Sequence, residues 1–303
     1  METGSQLSPC LLSPSLLSPG HPRMRPWILI GLGAFAILFV LGTILTLLPR
    51  QRAMAEQEAC KNNFRILAQF ATDQANPPKD APARRVGSEI PAGTIPLPGV
   101  AADDRLSWVV DTLPGFDQRQ QNTAPMLAAI DRSQPWSASK NQAAARMRVA
   151  ALLDPGNPPE LDPDRPAPTQ YVGIAGLGTD AGSLNFVPPG PPSPRAGCFR
   201  YDGPTPFYSI ADGSSQTLLF GECSEDLGSW LRGGASTIRG LDDRPGAKPL
   251  VGPGGQFGGN HPNTSNWALA DGSVRMFTPR VDPRVLFGMA TIAGKESDAI
   301  PGE

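Results

Sequence analysis

His261 is followed by nine residues and then by Asp271-Gly272, in a chain with only one other histidine. An imidazole and a carboxylate could hold a metal or move a proton. Two ligands at this separation meet no usual zinc spacing, however, and no second His or Cys cluster lies nearby in sequence. Asp154, Glu160, Asp162 and Asp164 in "DPGNPPELDPD" offer the hard oxygens that calcium prefers. They lack the EF-hand spacing, and a solvated acidic loop is the reading taken. Glu222 beside Cys223 could be one carboxylate of a glycosidase pair, but a strand-end glutamate is more often simply exposed. Ser214 and Ser215 lack a nucleophile elbow. "GLGTDA", Gly176 to Ala181, matches the dinucleotide fingerprint in letters only, because "GSLNFVPPGPP" after it is no helix. The expectation is therefore no enzyme, no cofactor, no metal and no catalytic residue.

The Asp-Gly pair has a structural reading instead. Asp271-Gly272 suits a two-residue type I′ hairpin turn, in which both central residues need positive φ. Counting outward pairs Leu269 with Val274, Ala268 with Arg275 and Trp267 with Met276. That register places Trp267, Leu269, Val274 and Met276 on one apolar face. Asp212-Gly213 repeats the same turn chemistry ahead of the strand-like "QTLLFGE". His261, Asn263, Asp271, Gly272, Asp212 and Gly213 are thus expected as structural determinants.

The elements that must carry these residues are of unequal kinds. Trp27 to Leu48 is an uncharged run of 22 residues. At about 1.5 Å per residue it is long enough for a bilayer core and reads as a transmembrane helix. A cleaved signal peptide ending at Ala53-Met54-Ala55 is the competing reading; the apolar run is longer than such signals usually have. Residues 1–26, with Leu-Ser-Pro at a five-residue step, read as a disordered tail. Pro49 ends or kinks the apolar helix, and residues 49–75 follow as an amphipathic helix. Cys60, Phe64, Leu67 and Ala71 make its apolar face. Residues 76–100 read as a proline-rich connector, and 101–303 as a β-rich domain ending in the hairpin. The fold class expected is α+β, with long irregular loops, since Pro and Gly (35 and 33 residues) fill about a fifth of all positions. "TQYVGIAG" and "QTLLFGE" read as strands, "TAPMLAAI" and "NQAAARMRVAALL" as helices.

Lys and Arg (26) nearly balance Asp and Glu (28), and no basic run is interleaved with aromatics, so nucleic acid is not an expected partner. Cys198 and Cys223 lie at a separation compatible with a disulfide; two buried free thiols are the alternative.

Several blocks together resemble a known family. "ACKNNFRILAQF" after an apolar helix ending in Leu-Leu-Pro, "TQYVGIAG", "SIADGSSQTLLFGE" and the His261 to Arg275 block are similar to the prepilin-type H-x(9)-D-G family of unknown function, abundant in planctomycete bacteria. The resemblance runs from about Leu45 to Gly294. It implies a pseudopilin-like membrane helix and a β-rich domain outside the cytoplasm; the family is also catalogued among solute-binding proteins. The chain departs from the family pattern in two places. "RPWILIGLGAF" stands where a prepilin leader and its Phe-Thr-Leu-Ile-Glu are usual. Ala151-Leu152-Leu153-Asp154-Pro155 stands where Cys-Pro-Ser-Asp-Pro is usual, leaving Cys60 without the cysteine the resemblance would pair with it.

Two functions are expected from these readings. The first is a single-pass protein of the cytoplasmic (inner) membrane, pseudopilin-like, displaying its β domain in the cell envelope to other envelope or pseudopilin-like proteins. The second is a binding module for an extracellular solute or glycan, with Trp108, Trp136, Tyr171, Tyr208, Trp230 and Trp267 as platforms.

Overall fold

The computed structural model describes residues 26–73, 89–117, 123–186, 190–261 and 264–294. The N-terminal tail, the first part of the connector and Asn263 lie outside the described residues.

The first element, α1, is one helix over Pro26–Asp73. Pro49 sits inside it and does not end it, so of the two expected effects, an end or a kink, the end is corrected. A proline removes one N–H donor and crowds the carbonyl four residues back, yet the good helix formers on either side supply bonds enough to carry the helix through. The chain divides into two compact units, Met1–Arg52 and Ala53–Glu303.

In the first unit α1 presents its side chains outward, with Trp27, Phe35, Leu38 and Leu45 all more than 60% exposed. The Thr43 and Thr46 hydroxyls donate to the carbonyls of Val40 and Gly42 (2.8 and 3.1 Å) and so hide their polarity inside the helix. By length and composition the helix can cross a membrane.

The second unit is built on a five-stranded sheet. Its strands are β2 (Tyr171–Leu177), β4 (Leu218–Glu222), β5 (Ile238–Leu241), β6 (Ser265–Leu269) and β7 (Val274–Phe277), in the order β5-β2-β4-β6-β7. β2 and β5 pair in parallel and the other pairs are antiparallel. β1 (Glu89–Ile90) and β3 (Thr205–Pro206) make a separate two-stranded pair. Residues 89–100, expected as connector, are therefore part of the domain, with Ile90, Thr94 and Ile95 buried. Helices α2 (Val109–Asp117), α3 (Ala124–Ala128), α4 (Ser139–Ala145) and α5 (Pro283–Ala290) complete the α+β fold.

Both faces of the sheet are covered. Strand alternation sends Tyr171, Phe220, Glu222, Asn266 and Ala268 to one side. There Cys60, Phe64, Leu67 and Ala71 of α1, all at 0% exposure, complete the core; the Phe64 and Tyr171 rings lie 4.6 Å apart. The expected helix face is the one buried. Val172, Ile174, Trp267 and Leu269 point the other way and meet Leu286 and Met289 of α5. Asp282 starts α5 by accepting from the Arg284 amide at 3.0 Å.

The terminal hairpin forms, but one residue out of the expected register. Ala268 is opposite Val274, Trp267 opposite Arg275 and Asn266 opposite Met276. The Leu269 amide donates to the Ser273 carbonyl (2.8 Å), closing a three-residue loop of Ala270, Asp271 and Gly272. Gly272 has φ of +84°, whereas Asp271 is not in the positive-φ region. This is a type I turn followed by a left-handed glycine, not a type I′ turn. The added residue shifts every cross-strand partner by one, so Val274 and Met276 do not share a face with Trp267.

Cys198 and Cys223 are both buried free thiols. They belong to the cores on opposite faces of the sheet, so the disulfide that their sequence separation allowed does not form.

A buried polar cluster as the candidate functional site

Beneath α1, the side of the sheet that should be wholly apolar carries ionisable groups. Glu222 ends β4 and is 0% exposed. Its neighbours on β2 and β6 are Tyr171 and Asn266, exposed by 1% and 0%. Cys60 descends from α1: its sulfur donates to Glu222 Oε2 at 3.4 Å, and accepts from the Tyr171 hydroxyl at 3.3 Å and from Asn266 Nδ2 at 3.4 Å. Asn266 Nδ2 also donates to Glu222 Oε2 at 3.4 Å.

Two loops close the cluster. Asp154 follows the short helical turn Ala150–Leu152, and its Oδ1 accepts from the Gly156 amide at 2.9 Å, an Asx turn suited to Asp-Pro-Gly. Its own amide donates to Gln170 Oε1 (2.8 Å). Gln170 Nε2 in turn donates to Asn260 Oδ1 (3.0 Å), beside His261. One glutamine side chain thereby holds the Asp154 loop and the His261 segment together. His261 Nε2 faces Asp154 Oδ2 at 3.4 Å, without the geometry of a hydrogen bond.

The arrangement leaves polar atoms without partners. Asp154 Oδ2, Glu222 Oε1, His261 Nε2 and Asn266 Oδ1 are buried and accept or donate nothing. An unpaired buried carboxylate is costly in a low-dielectric interior. Burial accordingly pushes the Glu222 carboxyl up to about 7, and burial together with the adjoining Cys60 sulfur raises the Tyr171 hydroxyl well above its ordinary range. One ligand-type atom from each of Cys60, Asp154, Glu222 and His261 falls within 4.8 Å of every other.

Sequence reasoning placed His261 but not its company. It sought ligands near His261 along the chain, whereas these come from positions 60, 154 and 222. One signal was available: Glu222 closes a strand, "LLFGE", whose other residues are apolar or glycine. The acidic loop separates, since Asp154 is buried while Glu160, Asp162 and Asp164 are exposed. The two Asp-Gly turns come together at another place, where the Asp271 amide donates to the Ser214 carbonyl (3.1 Å) and Asp212 Oδ2 accepts from the Gly294 amide (2.9 Å). Gly213 also has positive φ, +93°. "GLGTDA" runs from the end of β2 into a turn, with no phosphate-binding helix after it.

Of the expected aromatic platforms, Trp108, Tyr171, Trp230 and Trp267 are fully buried; Tyr208 is exposed and Trp136 half-buried. A separate open cleft of about 710 Å³ is lined by Tyr201, Asp226, Arg232, Arg239, Asp242 and Lys248, among others. Lys248 pairs with Asp226 at 3.2 Å, and Arg232 donates to the Asp103 backbone carbonyl at 3.0 Å.

Fold and cluster together define an α+β protein with a candidate N-terminal membrane helix and a sheet domain whose central strands are covered on both faces. Residues 55–242, well over half of the chain, match the model of a family described as protein of unknown function (DUF1559), which also carries a solute-binding-protein label, and the chain belongs to that family. No match was found among curated proteins or among solved structures.

Proposed function

We propose that the protein is a non-catalytic, pseudopilin-like component of the cell envelope, anchored in the inner membrane by Trp27 to Leu48 and displaying the sheet domain outside the cytoplasm to other envelope proteins. The observation that carries this reading is the division of labour along α1. Its first part is an apolar helix with outward-facing side chains, and from Cys60 to Ala71 the same helix lends a buried face to the domain core. Cleavage after Ala55 would leave the Cys60 to Ala71 face in the domain, so against a cleaved signal the reading rests on the length of the apolar run, 22 uncharged residues. The burial of four of the six proposed platforms also favours display over capture.

A second reading, capture of a solute or glycan, rests on the open cleft beside Arg232 and Arg239. It would work mainly through charged groups, since four of the six aromatic platforms are committed to the core.

Protease treatment of intact spheroplasts, with N-terminal sequencing of the membrane-bound protein, tests the first reading. Digestion of the domain from outside, with an uncleaved terminus at or before Met24, is the expected result. Cleavage after Ala55 with release of the domain would overturn anchoring, and protection of the domain would overturn its display outside.

A further inference from the structure

We infer that Cys60, Asp154, Glu222 and His261 bind a divalent transition-metal ion, zinc by the character of the donors, which staples the Cys60 segment of α1 to the sheet. The inference is independent of the side of the membrane on which the domain lies.

The donor set is the first argument. One thiol, one imidazole and two carboxylates are the groups that zinc takes in four-coordinate sites. Calcium and magnesium prefer oxygen alone, so sulfur and imidazole count against them.

Spacing is the second. Bonds of about 2.0–2.3 Å in a tetrahedron put the ligand atoms roughly 3.3–3.8 Å apart. Cys60 Sγ to Glu222 Oε2 and His261 Nε2 to Asp154 Oδ2 are each 3.4 Å already. The remaining pairs lie within 4.8 Å, so a contraction of about 1.5 Å or less completes the shell.

The third argument comes from the orphaned atoms. Asp154 Oδ2, Glu222 Oε1 and His261 Nε2 have no hydrogen-bond partner, and Asp154 and Glu222 are completely buried. A cation would take Asp154 Oδ2 and His261 Nε2 directly and Glu222 through one carboxylate oxygen, which hydrogen bonding within the cluster does not. Around them stand groups suited to holding ligands in place: Tyr171 and Asn266 both donate to the Cys60 sulfur and fix its position. On metal binding the thiol proton leaves to solvent and the sulfur–metal bond takes its place, with no change of oxidation state. Four protein ligands and little exposure make this a closed, structural site without an open position for substrate.

The test uses the full chain purified in detergent without chelators. Expected are one zinc per chain by elemental analysis and, after exchange with Co²⁺ alone, a thiolate-to-cobalt charge-transfer band with the visible bands of a tetrahedral ion. Cys60→Ser should abolish the charge-transfer band, and His261→Ala should weaken zinc binding on the order of a hundredfold or more. Because a variant could fail to fold, the wild-type chain is also melted with and without Zn²⁺, following circular dichroism. A folded wild-type chain that takes up less than stoichiometric zinc and gives no charge-transfer band would overturn the site. So would an intact band in folded Cys60→Ser.

Discussion

Both faces of the central strands β2, β4 and β6 are sealed from water, yet they are closed with different materials. Against Leu286 and Met289 of α5 lie Val172, Ile174, Leu218, Trp267 and Leu269, and the polar atoms left unpaired on that side, Trp267 Nε1 and the Ser265 hydroxyl, are neutral. Beneath α1, apolar packing by Phe64, Leu67 and Phe220 surrounds ionisable Cys60, Glu222, Asp154 and His261. Apolar residues of matching volume would seal that side at least as well. Stability alone therefore explains the α5 side and leaves the polar cluster of the α1 side without a reason. What the difference teaches is that burial has two meanings in this domain, packing on one face and ligation on the other.

The largest effect should come from the packing face. Trp267 is fully buried, with its ring 4.7 Å from Phe257 and 6.3 Å from Phe277. Trp267→Ala should cost about 3–5 kcal/mol in denaturant unfolding. Zinc stoichiometry in the folded fraction should stay unchanged, although Asn266 next to it faces the cluster. Loss of metal together with the tryptophan would mean that the two faces are not separable.

Removing the metal acts from the other side. With zinc about a thousandfold above its dissociation constant, chelation should lower stability by about 4 kcal/mol, seen as a drop in melting temperature. His261→Ala should melt at the same temperature with or without chelator. An equal chelator effect in that variant would place the stabilising ion elsewhere.

A smaller effect is expected at the hairpin that joins β6 to β7. No atom lies within 4 Å of a Cβ placed on Gly272, so substitution there meets open space and only the backbone objects. Gly272→Val should cost about 1–2 kcal/mol, because a β-branched residue resists a φ of +84°. Gly272→Ala should cost less, and Gly272→Asn least of all. A melting temperature unmoved by valine would contradict the left-handed conformation at this position.

How far the sequence disclosed this contrast depended on how local each signal was. The apolar face of α1, the strands β2 and β4 and the presence of a hairpin at Asp271-Gly272 all follow from periodicity or turn chemistry within about a dozen residues. The hairpin register did not, because a type I turn closed by a left-handed glycine accommodates the same Asp-Gly pair as a type I′ turn. Nor did the fate of Cys198 and Cys223, which is decided by the sheet standing between them. The cluster was least legible. Its four contributors are separated by 94, 68 and 39 positions along the chain, as their residue numbers show, and three of the four read singly as an unpaired thiol, a solvated acid and a strand-end acid. Only topology makes them one site.

The smallest effect returns to the α5 side and bears on how its covering helix is held. Asp282 caps α5 through the Arg284 amide, and its side chain also receives the Arg284 guanidinium at 2.8 Å. The Arg284 hydrogen bond is the main cause that holds the Asp282 carboxyl below its ordinary value of 3.8. A carboxyl depressed in the folded state stabilises fully above its unfolded pKa and loses that contribution as pH falls through the folded one. Asp282→Ala should therefore lower the melting temperature slightly at neutral pH. The difference from wild type should narrow only below pH 3.8. Asp282→Asn separates cap from charge, since asparagine can still accept from the Arg284 amide. If it behaves as wild type at every pH, the cap geometry holds α5 in place and the carboxylate charge contributes nothing.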